Sequence, residues 1–179
     1  GADYETLRAI NPRLIYASIS GFGQTGPWSD RPGFDLIAQA MTGVTSTTGE
    51  PSGPPGKCGI PVSDLGAALF ATYGILSAVI GRSRSGVGQF LDISLFDAAL
   101  ALSIWETTEY FATGTAPERI GTGNRMGAPY QAFKASDGHF VVGAGNQRLW
   151  EKLCDVLQDD RLRGCPDFRT NADRMVNRD

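Results

Sequence analysis

A long run of small and apolar residues lies between Leu65 and Ile80 and limits how the chain can fold. Such a run forms a helix without a polar face, and a helix of that kind has to be buried. Four residues interrupt it and keep it below the ~18 uninterrupted apolar residues of a membrane span: Gly66, Thr72, Gly74 and Ser77. We therefore expect a buried helix from Ser63 to about Arg82 in a soluble protein that has no membrane partner.

Charge and composition argue against a nucleic-acid-binding protein. The net charge is −3, the pI is near 5.2, and the 16 basic residues are scattered along the chain. Binding to nucleic acid requires clustered Lys and Arg side chains that neutralise phosphate groups. Because the sequence contains no such cluster, we predict that nucleic acid is not a partner.

The cysteines and the single histidine support neither a disulfide framework nor a metal site. Cys58, Cys154 and Cys165 are an odd number without a Cys-x-x-Cys pair, and His139 is the only histidine. Such cysteines are typical of proteins from a reducing compartment. The first residues also lack the basic and apolar regions of a signal peptide. We therefore predict a cytoplasmic protein without a metal centre.

The order of predicted elements indicates an α/β fold. The segment "RLIYASIS", Arg13 to Ser20, is apolar on both faces, as in a strand that is buried in a parallel sheet. The glycine-rich loop Gly21 to Gly33 leaves the carboxyl end of this strand, where ligands bind in such sheets. Further elements follow: a helix from Phe34 to Gly43, the long apolar helix, a strand that ends near Leu95 and a helix to about Thr113. We predict part of an open, mostly parallel, Rossmann-like sheet with helices.

A change in composition predicts two domains. The segment from Gly114 to Pro129 is rich in glycine, proline and charge, so we interpret 114–129 as a linker. Residues 1–113 then belong to a large α/β domain. Residues 130–179 begin a smaller α+β domain, because they contain a hairpin signal around Asp137 and then an amphipathic helix.

Asp64 stands at the head of the long helix, and two roles are open for it. Ser63 is a favourable N-cap, and an acid in the first turn interacts with the helix dipole by ~0.3–1 kcal/mol, so a purely structural role is the simpler explanation. However, the small residues Gly66, Ala67 and Ala68 leave space beside the carboxylate. A bulky ligand can approach there, and the dipole keeps the acid ionised, as a carboxylate nucleophile requires.

Other candidate residues carry weaker signals. The loop "GFGQTG" matches the spacing of a dinucleotide-binding loop, but further loop residues follow it in place of a helix. His139 fits a structural position in a strand, so a Ser-His-Asp triad is not indicated. Cys58 has no histidine partner nearby and fits a free thiol. Asp35 stands at a helix start, where a cap, an ion pair and a second carboxylate of the site are equally compatible with the pattern.

Four motifs occur in an order that resembles one protein family: "GFGQTGPWSDRPGFDLIAQAMTG", "GIPVSDLGAALFATYGILSAVIG", "SGVGQFLDISLFDAAL" and "YQAFKASDGHFVVGAG". With these motifs the chain resembles the family III CoA-transferases. This family includes formyl-CoA transferase, the carnitine and bile-acid CoA-transferases and the related α-methylacyl-CoA racemases. The resemblance covers nearly the whole chain.

The resemblance implies that Asp64 is catalytic. In this family an aspartate attacks an acyl-CoA thioester to give a mixed anhydride, and the CoA thiolate then forms an aspartyl-CoA thioester for the acceptor acid. Acyl-CoA and a carboxylic acid are the implied substrates, so coenzyme A is a substrate and no tightly bound cofactor is expected. By the same resemblance, four residues are expected to contact coenzyme A: Arg31, Phe34, Asp35 and Leu95.

The resemblance also defines alternatives to CoA transfer. Racemases of the family carry a histidine where this chain has Phe34, because exchange of an α-proton needs a second acid/base. A transferase is therefore favoured over a racemase. Family members also extend beyond both ends of this chain and form interlocked homodimers. We expect this chain to be the central part of a longer protein, and an inactive CoA-binding or dimer-forming piece is the third alternative.

Overall fold

The computed structural model describes residues 1–178 and divides into two compact units. The first unit comprises Gly1–Thr48 and Pro55–Glu118, and the second comprises Gly49–Pro54 and the residues from Arg119 onward. The division after Glu118 falls within the segment 114–129, which contains neither helix nor strand.

The first unit alternates helices with two parallel strands. Strand β1 pairs with β2 in parallel, with Tyr16 opposite Phe90 and Ser20 opposite Ser94. The predicted α/β class is therefore confirmed. The elements are α1 (Tyr4–Ile10), β1 (Tyr16–Ser20), α2 (Asp35–Met41), α3 (Val44–Thr47), α4 (Val62–Ser85), β2 (Phe90–Ser94), α5 (Leu95–Leu102) and α6 (Ile104–Thr113).

Three helices begin around one small core. The core joins Ala38 of α2, Ala67 of α4, and Leu95 and Ala98 of α5. Small side chains allow the close approach: a Cβ atom added to Gly66 of α4 would lie 2.8 Å from a methyl carbon of Leu102 in α5. This packing brings the amino-terminal turns of α2, α4 and α5 together.

Helix α4 is not buried on all sides, although its composition predicts that it should be. Its buried residues are small: Ser63, Gly66, Ala67, Ala71 and Ala78. Large apolar side chains on its other sides, such as Leu69 and Leu76, are more than half exposed. The expectation is therefore wrong for the described residues, because the neighbours of α4 cover only its small-residue side. By length and composition α4 could also cross a membrane, and 22% of its most apolar window is buried.

The glycine-rich loop between β1 and α2 closes on itself. Gly21 and Gly33 approach so closely that a Cβ atom on Gly21 would lie 2.5 Å from the Cα atom of Gly33. Inside the loop, the rings of Phe22 and Trp28 meet edge to face with centroids 5.1 Å apart. The two glycines therefore determine where α2 begins relative to the end of β1.

The second unit contains the predicted hairpin and helix. Its strands pair in antiparallel fashion, and Ala135 N–H donates to Gly138 O at 2.8 Å across the turn. The guanidinium of Arg174 is buried against Trp150, with its Cζ atom 5.0 Å from the ring centroid. The elements are β3 (Tyr130–Lys134), β4 (His139–Gly143), α7 (Gln147–Leu157), α8 (Asp160–Gly164) and α9 (Asn171–Val176).

Replacement of Gly21 by alanine is expected to destabilise the protein. The added methyl group would overlap the Gly33 backbone, and overpacking of this kind costs ~1–3 kcal/mol. The Gly21→Ala protein should therefore unfold at a lower temperature than the wild type. Gly59→Ala is the matched control, because a Cβ atom at Gly59 meets nothing within 4 Å. Equal melting temperatures for the two variants would contradict the close approach.

The three cysteines are expected to differ in reactivity. Cys154 is buried, and burial raises the pKa of its thiol, whereas Cys58 and Cys165 are partly exposed. Because the thiolate is the reactive form, a raised pKa leaves less of it near neutral pH. Alkylation by iodoacetamide, followed by peptide mass spectrometry, should therefore label Cys154 last. Labelling of Cys154 as fast as that of Cys165 would argue against this burial.

Candidate active site

Asp64 lies exposed in the first turn of α4, directly after a buried residue. The helix begins at Val62, one residue earlier than predicted, and Pro61 occupies the N-cap position without a side-chain bond. Ser63 is therefore inside the helix, where it is 0% exposed. The predicted capping role of Ser63 is thus wrong, and a different group has to satisfy the start of the helix.

The carboxylate of Asp35 caps α4 from a neighbouring helix. Its Oδ1 atom accepts a hydrogen bond from the backbone N–H of Ser63 at 2.9 Å, and the Ser63 hydroxyl donates to the Asp35 carbonyl oxygen at 3.4 Å. A negative charge at this place also interacts favourably with the dipole of α4. Of the roles left open for Asp35, the structure therefore shows a cap, which serves α4 and not its own helix α2.

Gln39 completes this arrangement, although no sequence motif singled it out. Its side chain is 0% exposed. The Nε2 atom donates to Asp35 Oδ2 at 2.7 Å, and the Oε1 atom accepts from the backbone N–H of Cys58 at 2.9 Å. Residues four apart on a helix face each other, so the spacing of Asp35 and Gln39 is the signal that could have revealed the pair.

Both strands of the parallel pair bind the start of the glycine-rich loop. Gly23 N–H donates to the hydroxyl oxygen of Ser20 at the end of β1, at 3.0 Å. Gln24 N–H donates to Oδ2 of Asp92 in β2, at 2.8 Å. The loop is therefore fixed to the carboxyl edge of the strands, which is the edge where ligands bind in α/β proteins.

The four residues that were predicted to contact coenzyme A all lie in the first unit, in different surroundings. Arg31 is exposed and stacks on Trp28, with its Cζ atom 4.6 Å from the ring centroid. Phe34 is 72% exposed at the N-cap of α2. Asp35 is half-buried and already holds two protein donors, and Leu95 is buried in the core around Ala67. Their contact with coenzyme A stays a prediction.

The carboxylate of Asp64 is available for chemistry. Within residues 1–178 it accepts no hydrogen bond and forms no ion pair. An exposed carboxylate without a hydrogen-bond partner has free lone pairs for nucleophilic attack. The described residues contain no group of His, Cys, Asp and Glu side chains that could hold a metal ion. The geometry of Asp64 therefore suits attack on an electrophile that approaches from the solvent.

Comparison with known proteins relates the chain to CoA-transferases. The family described as CoA-transferase family III matches residues 1–179. The chain is 47% identical to the acetyl-CoA:oxalate CoA-transferase of Acetobacter aceti, over 100% of this chain and 46% of that protein. It is 38% identical to the succinate–glutarate CoA-transferase of Agrobacterium fabrum, over 99% of this chain and 44% of that protein. The chain thus spans about half the length of these relatives.

The fold agrees with the sequence match. A crystal structure of a CAIB/BAIF family protein from Brucella suis superposes with a TM-score of 0.83 at 41% sequence identity. The superposition covers 99% of this chain and 47% of that protein. The sequence match and the superposition therefore both extend along essentially the whole chain. This chain belongs to the family III CoA-transferases.

Proposed function

We propose that the whole protein moves coenzyme A from an acyl-CoA to a carboxylic acid, with Asp64 as the nucleophile. The observation that carries this proposal is the exposed, unpaired carboxylate of Asp64, in a helix turn that Asp35 caps. Membership of the family supports the reaction class. The name of one relative combines acetyl-CoA with oxalate, and that of another combines succinate with glutarate. The substrates are accordingly proposed as acyl-CoA and a small carboxylic acid.

The first half of the reaction forms a covalent intermediate on Asp64. A carboxylate oxygen attacks the thioester carbonyl carbon, the C–S bond breaks, and the CoA thiolate leaves. The product is a mixed anhydride of Asp64 and the acyl group. The thiolate then attacks the anhydride carbonyl carbon that belongs to Asp64. The acyl group departs as a carboxylate, and an aspartyl-CoA thioester remains.

The second half runs the same two steps in reverse with the acceptor acid. A carboxylate oxygen of the acceptor attacks the aspartyl-CoA thioester, the thiolate leaves, and a second mixed anhydride forms. The thiolate then attacks the carbonyl carbon of the acceptor, which becomes the new acyl-CoA. Asp64 is released as a carboxylate. The cycle consumes no proton, metal ion or redox equivalent.

The surroundings of Asp64 support two requirements of this chemistry, room for a large substrate and a nucleophile that is held in place. Gly66 and Ala67 are buried and Ala68 carries only a methyl group, so no large side chain from these three positions stands beside the carboxylate. A helix turn that is capped by Asp35 also holds the nucleophile in one place, which lowers the cost of orientation.

We further propose that the protein acts as a homodimer in the cytoplasm. The exposed side of α4 carries four large apolar side chains that are about half exposed: Leu65, Leu69, Leu76 and Ile80. Contiguous apolar surface of this kind is typical of protein interfaces. A second subunit would remove these side chains from water. The acidic composition and the unpaired cysteines fit a reducing cytoplasm.

Replacement of Asp64 by asparagine is expected to abolish transfer. An amide is a far weaker nucleophile than a carboxylate, so kcat should fall by at least ~10³-fold. Incubation of the whole protein with acyl-CoA and hydroxylamine should convert Asp64 of the wild type into a hydroxamate that peptide mass spectrometry detects. The Asp64→Asn protein should not be modified at this position.

Asp97→Asn is the matched control for this experiment. Asp97 is also a first-turn acid, but its carboxylate accepts from the Ser94 hydroxyl at 2.6 Å and serves the start of α5. Its replacement should leave the hydroxamate at Asp64 intact. Transfer activity that survives Asp64→Asn, together with no adduct at Asp64 in the wild type, would refute the proposed role.

Racemase activity is not expected, because Phe34 provides no acid or base at the start of α2. Removal and return of an α-proton on opposite faces needs two such groups. A 2-methylacyl-CoA that is incubated with the whole protein in heavy water should therefore retain its α-hydrogen, which NMR measures directly. If the wild type incorporates deuterium at the α-carbon and the Asp64→Asn protein does not, the protein is instead a racemase.

A further inference from the structure

We infer that Gln39 is a positioning residue for Asp64, and that it acts through Asp35 and the start of α4. This inference rests on the proposed role of Asp64 as the nucleophile. Gln39 and Ser63 are both completely buried polar residues, with 0% exposure. Buried polar groups are costly unless they are hydrogen-bonded. Their bonds therefore strongly favour one arrangement of the chain around Asp64.

The pair formed by Asp35 and Gln39 holds the segment before Asp64 at two points. Gln39 Oε1 accepts from the N–H of Cys58 at 2.9 Å, and Asp35 Oδ1 accepts from the N–H of Ser63 at 2.9 Å. The bond from Gln39 Nε2 to Asp35 Oδ2, at 2.7 Å, joins the two anchors. One turn of α2 thus clamps the six residues from Cys58 to Ser63, which directly precede Asp64.

The second anchor lies one residue before the nucleophile. In a helix, successive side chains are rotated by ~100° about the axis, as follows from 3.6 residues per turn. A buried Ser63 therefore places the side chain of Asp64 at the border of the buried face, where it is exposed. A shift of the Ser63 N–H would move the carboxylate of Asp64 with it.

Two substitutions together reverse the direction of the side-chain hydrogen bond between Gln39 and Asp35. Asp35 accepts on both sides, while Gln39 donates to Asp35 and accepts from Cys58. Asp35→Asn places an NH₂ group against the Gln39 NH₂ group, and Gln39→Glu places a carboxylate against the Asp35 carboxylate. In the double variant the new amide donates to the new carboxylate, and both backbone N–H groups keep an acceptor. The double variant also has the same net charge as the wild type.

The test compares the two single variants and the double variant in the whole protein. Each single variant should lower kcat by about 10- to 100-fold, because misplacement of a catalytic group by ~1 Å has an effect of that order. In the Gln39→Glu variant the KM for acyl-CoA should change by less than about 3-fold, because Gln39 acts on orientation and not on binding. The double variant should recover kcat to within about 5-fold of the wild type through coupling of neighbouring sites.

A second readout does not depend on catalysis. Hydrogen exchange of the peptide that contains Cys58 and Ser63 should be faster in each single variant and return to the wild-type rate in the double variant. Thr42→Val is the matched control, because its hydroxyl donates only to backbone carbonyl oxygens of α2, Ala38 O at 2.8 Å and Gln39 O at 3.4 Å, and not to the side chain of Asp35 or Gln39. This control should change neither the exchange of that peptide nor kcat by more than about 2-fold.

Single variants that keep kcat within about 2-fold of the wild type would overturn the inference. A double variant whose kcat is no higher than that of the less active single variant would also overturn the inference. This outcome applies even where the single variants fail to fold. These outcomes are distinct from a failure of the proposed function. If Asp64→Asn abolishes transfer and the clamp variants have no effect, only the positioning role of Gln39 is lost. If Asp64→Asn retains activity, the nucleophile assignment fails, whatever hydrogen exchange reports for the clamp.

Discussion

The hydrogen bond from the Ser63 N–H to the Asp35 carboxylate joins α4 to α2, although the two residues lie 28 positions apart in the sequence. The geometry of the candidate site depends on it, because the start of α4 has no side-chain cap of its own. The position of Asp35 depends in turn on the glycine-rich loop, which the two strands bind at Gly23 and Gln24. A continuous set of contacts therefore leads from the sheet edge through the loop and α2 to the first turn of α4.

Small residues make this set of contacts sterically feasible. Gly21 and Gly33 let the loop close on itself, and Gly66 lets α4 approach α5. Because the inward face of α4 consists of Gly, Ala and Ser, its large apolar side chains lie on the remaining sides. In α4, small residues on one face therefore allow close backbone packing at the site, and large apolar residues on the other faces form an apolar outer surface.

Local patterns in the sequence predicted both strands of the first unit, the long helix and the hairpin around Asp137, because these elements depend on nearby residues. The single helix that was predicted to about Thr113 is instead two helices, α5 and α6, that meet at Ser103. The cap of α4 was predicted wrongly. Local rules favoured Ser63, whereas the acceptor is Asp35, which only the tertiary fold brings there. Gln39 was missed for the same reason, because its burial and its bond to Cys58 arise from packing between segments. The family and the candidate nucleophile Asp64 came from the order of motifs, which local physical rules do not explain.

Transfer of an oxygen isotope into Asp64 tests whether this residue is the nucleophile. In the proposed sequence, the acceptor carboxylate attacks the aspartyl-CoA thioester, and its attacking oxygen stays with Asp64 when the second anhydride is cleaved. Turnover of the whole protein with an ¹⁸O-labelled acceptor should therefore place ¹⁸O in the peptide that contains Asp64, as detected by mass spectrometry. Active enzyme that transfers coenzyme A to the labelled acid, while the carboxylate of Asp64 gains no ¹⁸O, would contradict the role of Asp64 as nucleophile.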